Sequence, residues 1–314
     1  MKYDLFYASK GGGRIHGSRW EPQGEPKGVI QIVHGIAEHI ERFESLAVYL
    51  AGRGFVVVAE DHMGHGRSIG EECAQGCFCG GWFAAVEDTR TLMKYTMGKY
   101  PGLPYVIIGI SMGSFMVRTL LAKYPHCGLN GAVLCGTAWQ DDRLLRTAGI
   151  TCKMICNTIG EGKPSTLLQK LLFGNYNRGI SDAQSPNAWL CRDADVVMAY
   201  DEDPLCGFAA SAGLYRDMME GITYIQNASN LATMDPNLPV LFIAGDRDPV
   251  GNYGKGVEAC AEAFRSMGME QVTVKLYPED RHDVLNELDK LTVWTDLVDW
   301  IEHTATPIKY ELLD

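Results

Sequence analysis

The chain has 314 residues, of which 46% are hydrophobic and 21% charged; these ordinary globular values exclude a disordered, collagen-like or coiled-coil protein. Its 28 Lys and Arg against 39 Asp and Glu give a net charge of −11, and no basic stripe follows the sequence, so we expect no nucleic-acid partner. The length allows two domains, or one large α/β core with an insertion.

Six short, β-branched apolar runs predict strands of a parallel sheet that are buried on both faces. They cover residues 29–33, 55–59, 105–110, 131–135, 240–244 and 272–276. Segments with helical spacing lie between them, at 43–53, 82–100, 112–124, 256–267 and 288–303. This alternation predicts the α/β class with a mostly parallel, doubly wound sheet, and residues 2–8 and 14–21 predict an antiparallel hairpin at one edge.

The alternation fails between residues 139 and 236. This stretch has helical patterns at 144–157, 165–173, 194–200 and 208–226 and no convincing buried strand. A structureless loop of that length is improbable in a compact protein. We therefore expect a helical cap (residues 139–236) inserted into an α/β core formed by residues 1–138 and 237–314.

No stretch of the sequence predicts a membrane span or a secretory signal. The longest uncharged stretches, 101–117 and 124–140, are short and interrupted by Gly and Pro. Asp4 lies where a signal peptide would have its apolar centre. We expect a cytoplasmic protein whose ten Cys are reduced.

The sequence Gly-Ile-Ser-Met-Gly at 109–113 follows a buried strand and opens a helical pattern, the context in which G-x-S-x-G is a specific motif. Glycines are needed there because side chains would collide with neighbouring backbone. We expect Ser111 to be a nucleophile, with the start of the next helix directing N–H groups at developing negative charge. The alternative is a glycine-rich turn with an incidental serine.

A serine nucleophile needs a base and a carboxylate that orients the base. In this architecture both lie on loops at the carboxyl ends of strands. His282 follows the last strand and is the expected base, whereas His303 lies within the final helix. Asp246 and Asp248 both follow the preceding strand; we prefer Asp248, which lies further into the loop, and expect Asp246 to cap the turn or pair with Arg247.

The sequence His-Gly-Ile-Ala-Glu-His at 34–39 follows the first core strand directly. Gly35 lets the main chain bend close to the nucleophile. We expect the backbone N–H groups of Ile36 and Met112 to form an oxyanion hole.

Two groups of residues could instead bind a metal. Cys73, Cys77 and Cys79 form the only tight cysteine cluster, but a zinc site there would need a fourth ligand, and unpaired loop thiols are the simpler interpretation. His34 and His39 have no Cys, His or carboxylate partner at zinc spacing in the sequence. We therefore expect neither a metal nor another cofactor.

Together these motifs resemble the monoacylglycerol lipase and lysophospholipase branch of the α/β-hydrolase superfamily, often grouped with the serine aminopeptidases. The segment 34–43 is similar to that branch's H-G-x-x-E-H-x-x-R-Y, with Phe43 in place of Tyr, and 61–68 resembles its D-x-x-G-H-G-x-S loop, which we interpret as loop architecture beside the site. Residues 282–287 match H-x-x-x-N-E. In that family the acid stands three residues after the strand-end glycine, which supports Asp248.

Two stretches of the cap resemble bacterial lysophospholipases, at 189–193 and 200–208. The resemblance implies a serine hydrolase of single-chain acyl esters, of monoacylglycerol or lysophospholipid type, working through an acyl-enzyme. The alternatives are an aminopeptidase of the same fold and a homologue that binds a ligand without turnover. An aminopeptidase needs a cap carboxylate for the substrate's amine, for which the candidates are Glu161, Glu202 and Glu220.

The candidate substrate-binding residues are Gly35, Glu38 and Phe208. Apolar residues of the first two cap helices are expected to line an acyl channel or to pack the cap on the core: Leu144, Leu145, Ile150, Met154, Ile155, Leu167, Leu168, Leu171 and Leu172. Transient contact of the cap with a membrane or micelle is left open, as is the oligomeric state.

Overall fold

The computed structural model describes residues 1–180 and 183–304. Within these ranges one sheet has the strand order β1-β2-β4-β3-β5-β6-β7-β8. The strands are β1 Lys2–Ala8, β2 Arg14–Trp20, β3 Gly28–Val33, β4 Phe55–Glu60, β5 Tyr105–Ile110, β6 Gly131–Cys135, β7 Val240–Gly245 and β8 Val272–Tyr277. Strands β3 to β8 are parallel, and β2 pairs antiparallel with both β1 and β4.

Five helices flank this sheet: α1 Glu44–Gly52, α2 Gly81–Lys99, α3 Met112–Lys123, α9 Lys255–Ser266 and α10 Lys290–Thr304. Each of the six predicted core strands is present, and no bound shifts by more than one residue. The predicted α/β class is thus confirmed. Because the parallel strands run the same way, the loops after β3, β5, β7 and β8 meet at one edge of the sheet.

Both faces of the central strands are covered, and alternate side chains enter different cores. In β3, Val29 and Val33 belong to the cluster that contains residues of α2, α3 and α9. Ile30 and Ile32 belong to the opposite cluster, with residues of α1 and α10. Double burial explains why β3 is apolar on both faces rather than alternating, with the buried Gln31 as its one polar side chain.

Strand β8 differs from the other predicted core strands. Its residues alternate between exposed and partly buried, with Thr273 and Lys275 facing solvent and Val272, Val274 and Leu276 packed against the core. The expectation that this run is buried on both faces was wrong, because β8 is the edge strand of the sheet.

Between β6 and β7 the described residues form helices and one isolated bridge, which pairs Pro164 with Ser211. The helices are α4 Asp142–Ile159, α5 Thr166–Phe173, α6 Ala194–Glu202, α7 Ala212–Gln226 and α8 Ala228–Leu231. Helix α7 starts later than its apolar pattern suggested, because the Ser211 side chain accepts from the N–H of Leu214 and caps the helix there. The division into a core and an inserted cap stays a prediction.

The cap helices α4 and α5 leave several apolar side chains in solvent. Leu145 and Leu168 are buried, and Ile155 and Leu172 pack against the core. The other five are more than half exposed, so they do not pack the cap on the core: Leu144, Ile150, Met154, Leu167 and Leu171. The packing expectation is therefore wrong for these five residues, and the channel expectation stays a prediction. The five exposed side chains are called below the exposed apolar face of α4 and α5.

The expectation that all ten cysteines are reduced is also wrong. Cys73 and Cys79 form a disulfide, because their loop brings the two Cα atoms to 5.8 Å, a separation that suits the bond. Cys77 is a free thiol. With two of the three thiols joined, this cluster does not supply a zinc site. None of the helices in the described ranges combines the length and hydropathy needed for a bilayer span.

Candidate active site

Ser111 occupies a sharp turn between β5 and α3. Its φ of 52° and ψ of −119° lie in a region that L-residues rarely adopt. The turn is held because the Ser111 N–H donates to the carbonyl of Cys135 at 2.9 Å, and its own carbonyl accepts from the N–H of Ser114 at 2.8 Å. Ser111 is only partly buried, and such strain at a partly accessible turn is typical of a residue retained for chemistry.

The glycines around Ser111 allow this turn to form. A Cβ on Gly113 would lie 2.1 Å from the Val33 carbonyl oxygen, and a Cβ on Gly109 would lie 2.6 Å from that of Gly113. Gly35, in the loop after β3, also approaches this turn, since a Cβ there would lie 3.1 Å from the Cβ of Ser111. The small residues of both motifs therefore bring the loop after β3 against the Ser111 turn.

Asp248 and His282 form a buried hydrogen-bonded pair. His282 Nδ1 donates to Asp248 Oδ2 at 2.9 Å, and the carboxylate is fully buried. Burial alone would lower the pKa of His282, but the charge and hydrogen bond of Asp248 outweigh it, and the pKa is raised above its ordinary value. The second Asp248 oxygen accepts from the N–H of Val250 at 2.8 Å, which fixes the carboxylate.

His282 lies beside the Ser111 turn. Its imidazole packs on Gly136, where an added Cβ would lie 2.8 Å from Cε1. Cys135, the preceding residue, is the one that accepts the Ser111 N–H bond. The structure thus joins Asp248 to His282 and places the His282 ring on Gly136, next to the residue that bonds the Ser111 backbone. The three residues follow β5, β7 and β8, and their action as one triad stays a prediction.

Of the two expected oxyanion donors, Ile36 lies in the loop after β3 and Met112 in the turn after β5. Neither the Ile36 nor the Met112 N–H donates to an acceptor within the described residues, and Met112 begins α3. The Gly35 N–H donates to Glu38 Oε1 at 2.5 Å, and this hydrogen bond fixes the conformation of the loop. Ala37, in the loop after β3, has a φ of 53°, so this loop also contains a residue with a strained backbone.

Glu38, expected from sequence to bind substrate, is buried among protein partners. Besides Gly35 it accepts from the Arg42 guanidinium, which also donates to Asp283 Oδ2 at 2.6 Å. Burial raises the pKa of Glu38, although the Arg42 charge opposes this. A chain of buried charges therefore connects the loop after β3 to the residue that follows His282.

The cap segment 188–192 contacts the loop that carries His282. The N–H of Asp283 donates to the Leu190 carbonyl at 2.7 Å, and the Trp189 ring lies 5.2 Å from the His282 ring. Arg192 donates from Nε to Glu287 Oε2 at 3.0 Å and also pairs with Asp280 and Asp289, three residues that lie on either side of His282 in the chain. The cap thus fixes one side of this loop.

Asp246, Phe208 and His303 contact groups other than the Asp248 and His282 pair. Asp246 accepts from the N–H of Glu279 at 2.8 Å and lies 3.6 Å from Arg247, in keeping with a turn-capping carboxylate. Phe208 is partly buried with its ring 5.6 Å from that of His65, so it packs against the 61–68 loop. His303 is exposed on α10.

The cap carboxylates that an aminopeptidase would require face solvent. Glu161, Glu202 and Glu220 are all exposed, and Glu161 pairs with Arg216. An exposed carboxylate gives little binding energy to an amine, because water screens the pair. The geometry therefore offers no buried anion for a substrate's amino group at these three positions.

Two groups of described side chains have ligand atoms close enough to bind a metal. Asp280, Glu287 and Asp289 form one, but the Arg192 guanidinium already lies among them. The other joins His39 to Asp203 and Cys206 of the cap.

Sequence reasoning missed Arg42, Gly136, Trp189 and Arg192. Arg42, Trp189 and Arg192 lie within motifs that carry the family resemblance, and that was the available signal. Their contacts cross from the loop after β3 or from the cap to the loop after β8, and such long-range pairs have no local sequence pattern.

Comparison with known proteins places the chain in a family. The model of the serine aminopeptidase S33 family matches residues 24–289. The monoacylglycerol lipase of Mycolicibacterium smegmatis is 31% identical, over 94% of this chain and 95% of its own. The human monoglyceride lipase is 28% identical, over 91% of this chain and 86% of its own.

The structure of a thermostable carboxyl esterase from Bacillus coagulans, in complex with glycerol, has a TM-score of 0.90 and 28% identity, covering 97% of this chain and 99% of its own. The match extends over both the sheet and the helices between β6 and β7, so the site described above lies within the shared fold. The chain therefore belongs to the serine aminopeptidase S33 family, in the monoacylglycerol-lipase-like branch of carboxylic ester hydrolases with the α/β-hydrolase fold.

Proposed function

We propose that this protein hydrolyses carboxylic esters of single acyl chains, of monoacylglycerol or lysophospholipid type, with Ser111, His282 and Asp248 as a catalytic triad. Ser111 Oγ attacks the ester carbonyl while His282 Nε2 takes its proton. The same imidazole then gives the proton to the leaving alcohol, and water resolves the acyl-enzyme by the reverse sequence. Asp248 holds the imidazole in the tautomer that leaves Nε2 free to accept.

The buried 2.9 Å contact between Asp248 and His282, beside the strained Ser111 turn, is the observation that carries this proposal. A His–Asp pair that served only to stabilise the fold would not require a neighbouring serine with a positive φ. The raised pKa of His282 suits a base that must hold the serine's proton during the reaction.

The Ile36 and Met112 N–H groups are the proposed oxyanion donors. They have no acceptor within the described residues, and Gly35 brings their loops together. Preorganised donors of this kind lower the barrier because they meet charge that develops only in the transition state; losing one costs about 2.7 to 4 kcal/mol. Glu38 is proposed to position this loop rather than to touch the substrate.

The substrate class is supported by the relatives named above, which are described as monoacylglycerol or monoglyceride lipases. It is also supported by the three exposed cap glutamates, which leave the aminopeptidase alternative without a buried amine partner. The family is described as serine aminopeptidases, but that description does not identify a residue of this chain that would bind a substrate's amine.

We further propose that the exposed apolar face of α4 and α5 contacts the surface of a lipid aggregate. Its side chains are uncovered by the described part of the chain. The two helices carry four basic residues against the single Asp142, although the chain as a whole has a net charge of −11. An apolar face flanked by positive charge suits an anionic lipid surface.

The triad is tested by labelling and turnover. A fluorophosphonate should modify Ser111 in the folded protein, and Ser111→Ala should lower kcat for a short p-nitrophenyl ester by about 10⁶-fold, the loss known for a serine nucleophile. Ser266→Ala, at the exposed end of α9, is the control and should retain both labelling and turnover. Labelling elsewhere, or an active Ser111→Ala protein, would remove the proposal.

Substrate class is tested with a panel of monoacylglycerols, lysophospholipids and aminoacyl amides. Higher kcat/KM for the amides would favour the aminopeptidase. For the lipid surface, wild type should sediment with anionic phospholipid vesicles, and the double variant Leu167→Ser with Leu171→Ser should sediment less. Val48→Ser removes an equally exposed apolar side chain from α1 and should have no effect on sedimentation.

A further inference from the structure

Three side chains of metal-ligand type meet where the loop after β3 contacts the cap. They are His39, Asp203 and Cys206, and their ligand atoms all lie within 4.8 Å of one another. His39 Nε2 is 2.8 Å from Asp203 Oδ2. In the sequence His39 has no partner at zinc spacing; the fold supplies two, from a segment more than 160 residues further along the chain.

A tight turn holds the two cap residues in place. The N–H of Cys206 donates to the Asp203 carbonyl at 2.9 Å, so the Asp-Pro-Leu-Cys sequence at 203–206 closes on itself. The Leu205 N–H donates to Asp203 Oδ1 at 2.8 Å, which leaves Oδ2 for His39. Pro204 suits the second position of such a turn because its φ is already fixed. The Asp203 and Cys206 ligand atoms are thus preorganised on one side of the turn.

The site is largely closed but has an entry. His39 and Cys206 are each 7% exposed, whereas the Asp203 side chain is 31% exposed. A metal ion could therefore enter from the Asp203 side and keep a water molecule there. Three protein ligands plus one water complete a tetrahedron, the geometry that Zn²⁺ prefers.

We propose that His39, Asp203 and Cys206 form a binding site for Zn²⁺ or a similar borderline divalent cation, which fastens the cap to the loop after β3. A nitrogen, an oxygen and a sulfur ligand suit Zn²⁺ or Co²⁺, whereas Mg²⁺ and Ca²⁺ prefer oxygen alone. On binding, the Cys206 thiol gives its proton to solvent as the sulfur–metal bond forms. The thiolate and the Asp203 carboxylate then balance the two charges of the ion.

Arg42, a cation in the same junction, does not oppose this binding. Arg42 lies 4.9 Å from the ring of Tyr200 in the same junction. Its guanidinium is already paired with Glu38 and Asp283, so these three groups together carry a net charge of −1. The surroundings of the site are therefore not cationic.

The metal would add to contacts that already join the same two segments. The Ala37 carbonyl accepts from the Gly207 N–H at 2.9 Å and from the Tyr200 hydroxyl at 3.0 Å. Because the ligands come from both sides of this junction, metal binding should stabilise the closed junction and raise Tm. This inference is independent of the proposed hydrolase function.

Co²⁺ is the probe, because it reports its ligands by absorption. Titrated into the full chain without thiol reductant, it should bind with tetrahedral visible bands and a thiolate-to-cobalt charge-transfer band, and Zn²⁺ should displace it. Cys206→Ser should lose the charge-transfer band. Asp203→Asn should weaken binding by more than about tenfold, at least the loss that follows removal of an outer-shell partner. Cys77→Ser removes a more accessible thiol and should leave the spectrum unchanged.

Absence of the charge-transfer band in wild type would overturn the site, whatever the variants do. So would an unchanged band in Cys206→Ser, or its loss in Cys77→Ser, since either result places the thiolate elsewhere. Circular dichroism checks that each variant is folded. If Cys206→Ser is not, the decision rests on wild type, Cys77→Ser and Asp203→Asn.

Discussion

Asp248 and His282 are joined by a 2.9 Å hydrogen bond in which the carboxylate is fully buried and the imidazole is almost so. Burial disfavours the protonated imidazole, and the neighbouring carboxylate favours it. The carboxylate prevails, so the pKa of His282 is higher than that of a free histidine. This balance gives the proposed reaction a pH dependence whose direction can be worked out.

A base must be neutral to take a proton, so kcat/KM should rise as the pH increases through the pKa of free-enzyme His282. Because that pKa is raised, the acid limb should lie above the ordinary histidine range. Asp248→Asn should move the limb to lower pH and decrease kcat by about 10⁴-fold, since the imidazole loses both its stabilising charge and its tautomer. Asp246→Asn, at the exposed neighbouring carboxylate, should leave the limb where it is. A pH profile unchanged by Asp248→Asn would contradict the assignment.

Gly35→Ala should damage turnover without unfolding the protein. The new Cβ would lie 2.5 Å from Glu38 Oε1 and 3.1 Å from the Cβ of Ser111, so the loop with the Ile36 N–H must move away. Displacing one oxyanion donor should lower kcat by about 10² to 10³-fold. Gly98→Ala, in α2, meets no atom within 4 Å and is the matched control for added volume. A Gly35→Ala enzyme with wild-type kcat would show that this close approach has no catalytic role.

The strands and the chemistry-bearing loops could be read from the sequence because each has a local cause. A buried parallel strand is apolar throughout, as in 105–110, and the turn after it demands glycine on either side of Ser111. Those two constraints predict where a nucleophile would lie. The strand-exit rule then selected His282 over His303.

What sequence could not supply was the set of contacts between distant segments. Arg42 reaches Asp283 across 241 residues, and His39 reaches Asp203 across 164. Neither contact has a period or spacing that a sequence displays. The same limit explains the exposed face of α4 and α5, since helical spacing shows that Leu167 and Leu171 share a face but not whether that face is covered.

Variants of Glu38 can distinguish two roles for this residue: positioning the loop that contains Ile36, or binding the substrate. Its Oε1 accepts the Gly35 N–H, so Glu38→Ala should displace the proposed oxyanion loop and decrease kcat with little change in KM. Glu38→Gln keeps an acceptor oxygen and should lose less. Glu41→Ala, in the next turn of chain and exposed, should behave as wild type. A rise in KM at constant kcat would instead support the substrate contact expected from sequence.

Arg192→Met should destabilise the junction between the cap and the histidine loop. The guanidinium lies among Asp280, Glu287 and Asp289, and the first two carboxylates are fully buried. Removing one partner of a buried charge network costs about 3 to 5 kcal/mol, because the remaining charges lose their counter-ion. The free energy of unfolding, measured by urea denaturation, should fall by this order.

The decrease in the free energy of unfolding caused by Arg192→Met should become larger as the pH rises. Burial, together with Glu287 and Asp289, raises the pKa of Asp280 from 3.8 to about 7, so the folded protein holds this proton more tightly than the unfolded chain. Between these two pKa values the unfolded state releases the proton first, and stability decreases as pH rises. Without Arg192 the folded pKa rises further and the decrease continues above neutrality. The difference in free energy of unfolding between Arg192→Met and wild type should therefore increase from about pH 6 to about pH 8.

Arg247→Met is the control, because its pair with Glu279 is exposed and screened by water, so its loss should leave the free energy of unfolding nearly unchanged at either pH. A constant difference for Arg192→Met would mean that Asp280 is not the group that Arg192 neutralises. An increasing difference with unchanged kcat would separate stability from catalysis: the cap would then fasten the histidine loop without tuning His282. If kcat falls in parallel, the same ion pairs that stabilise the junction also position the His282 imidazole for the proposed reaction.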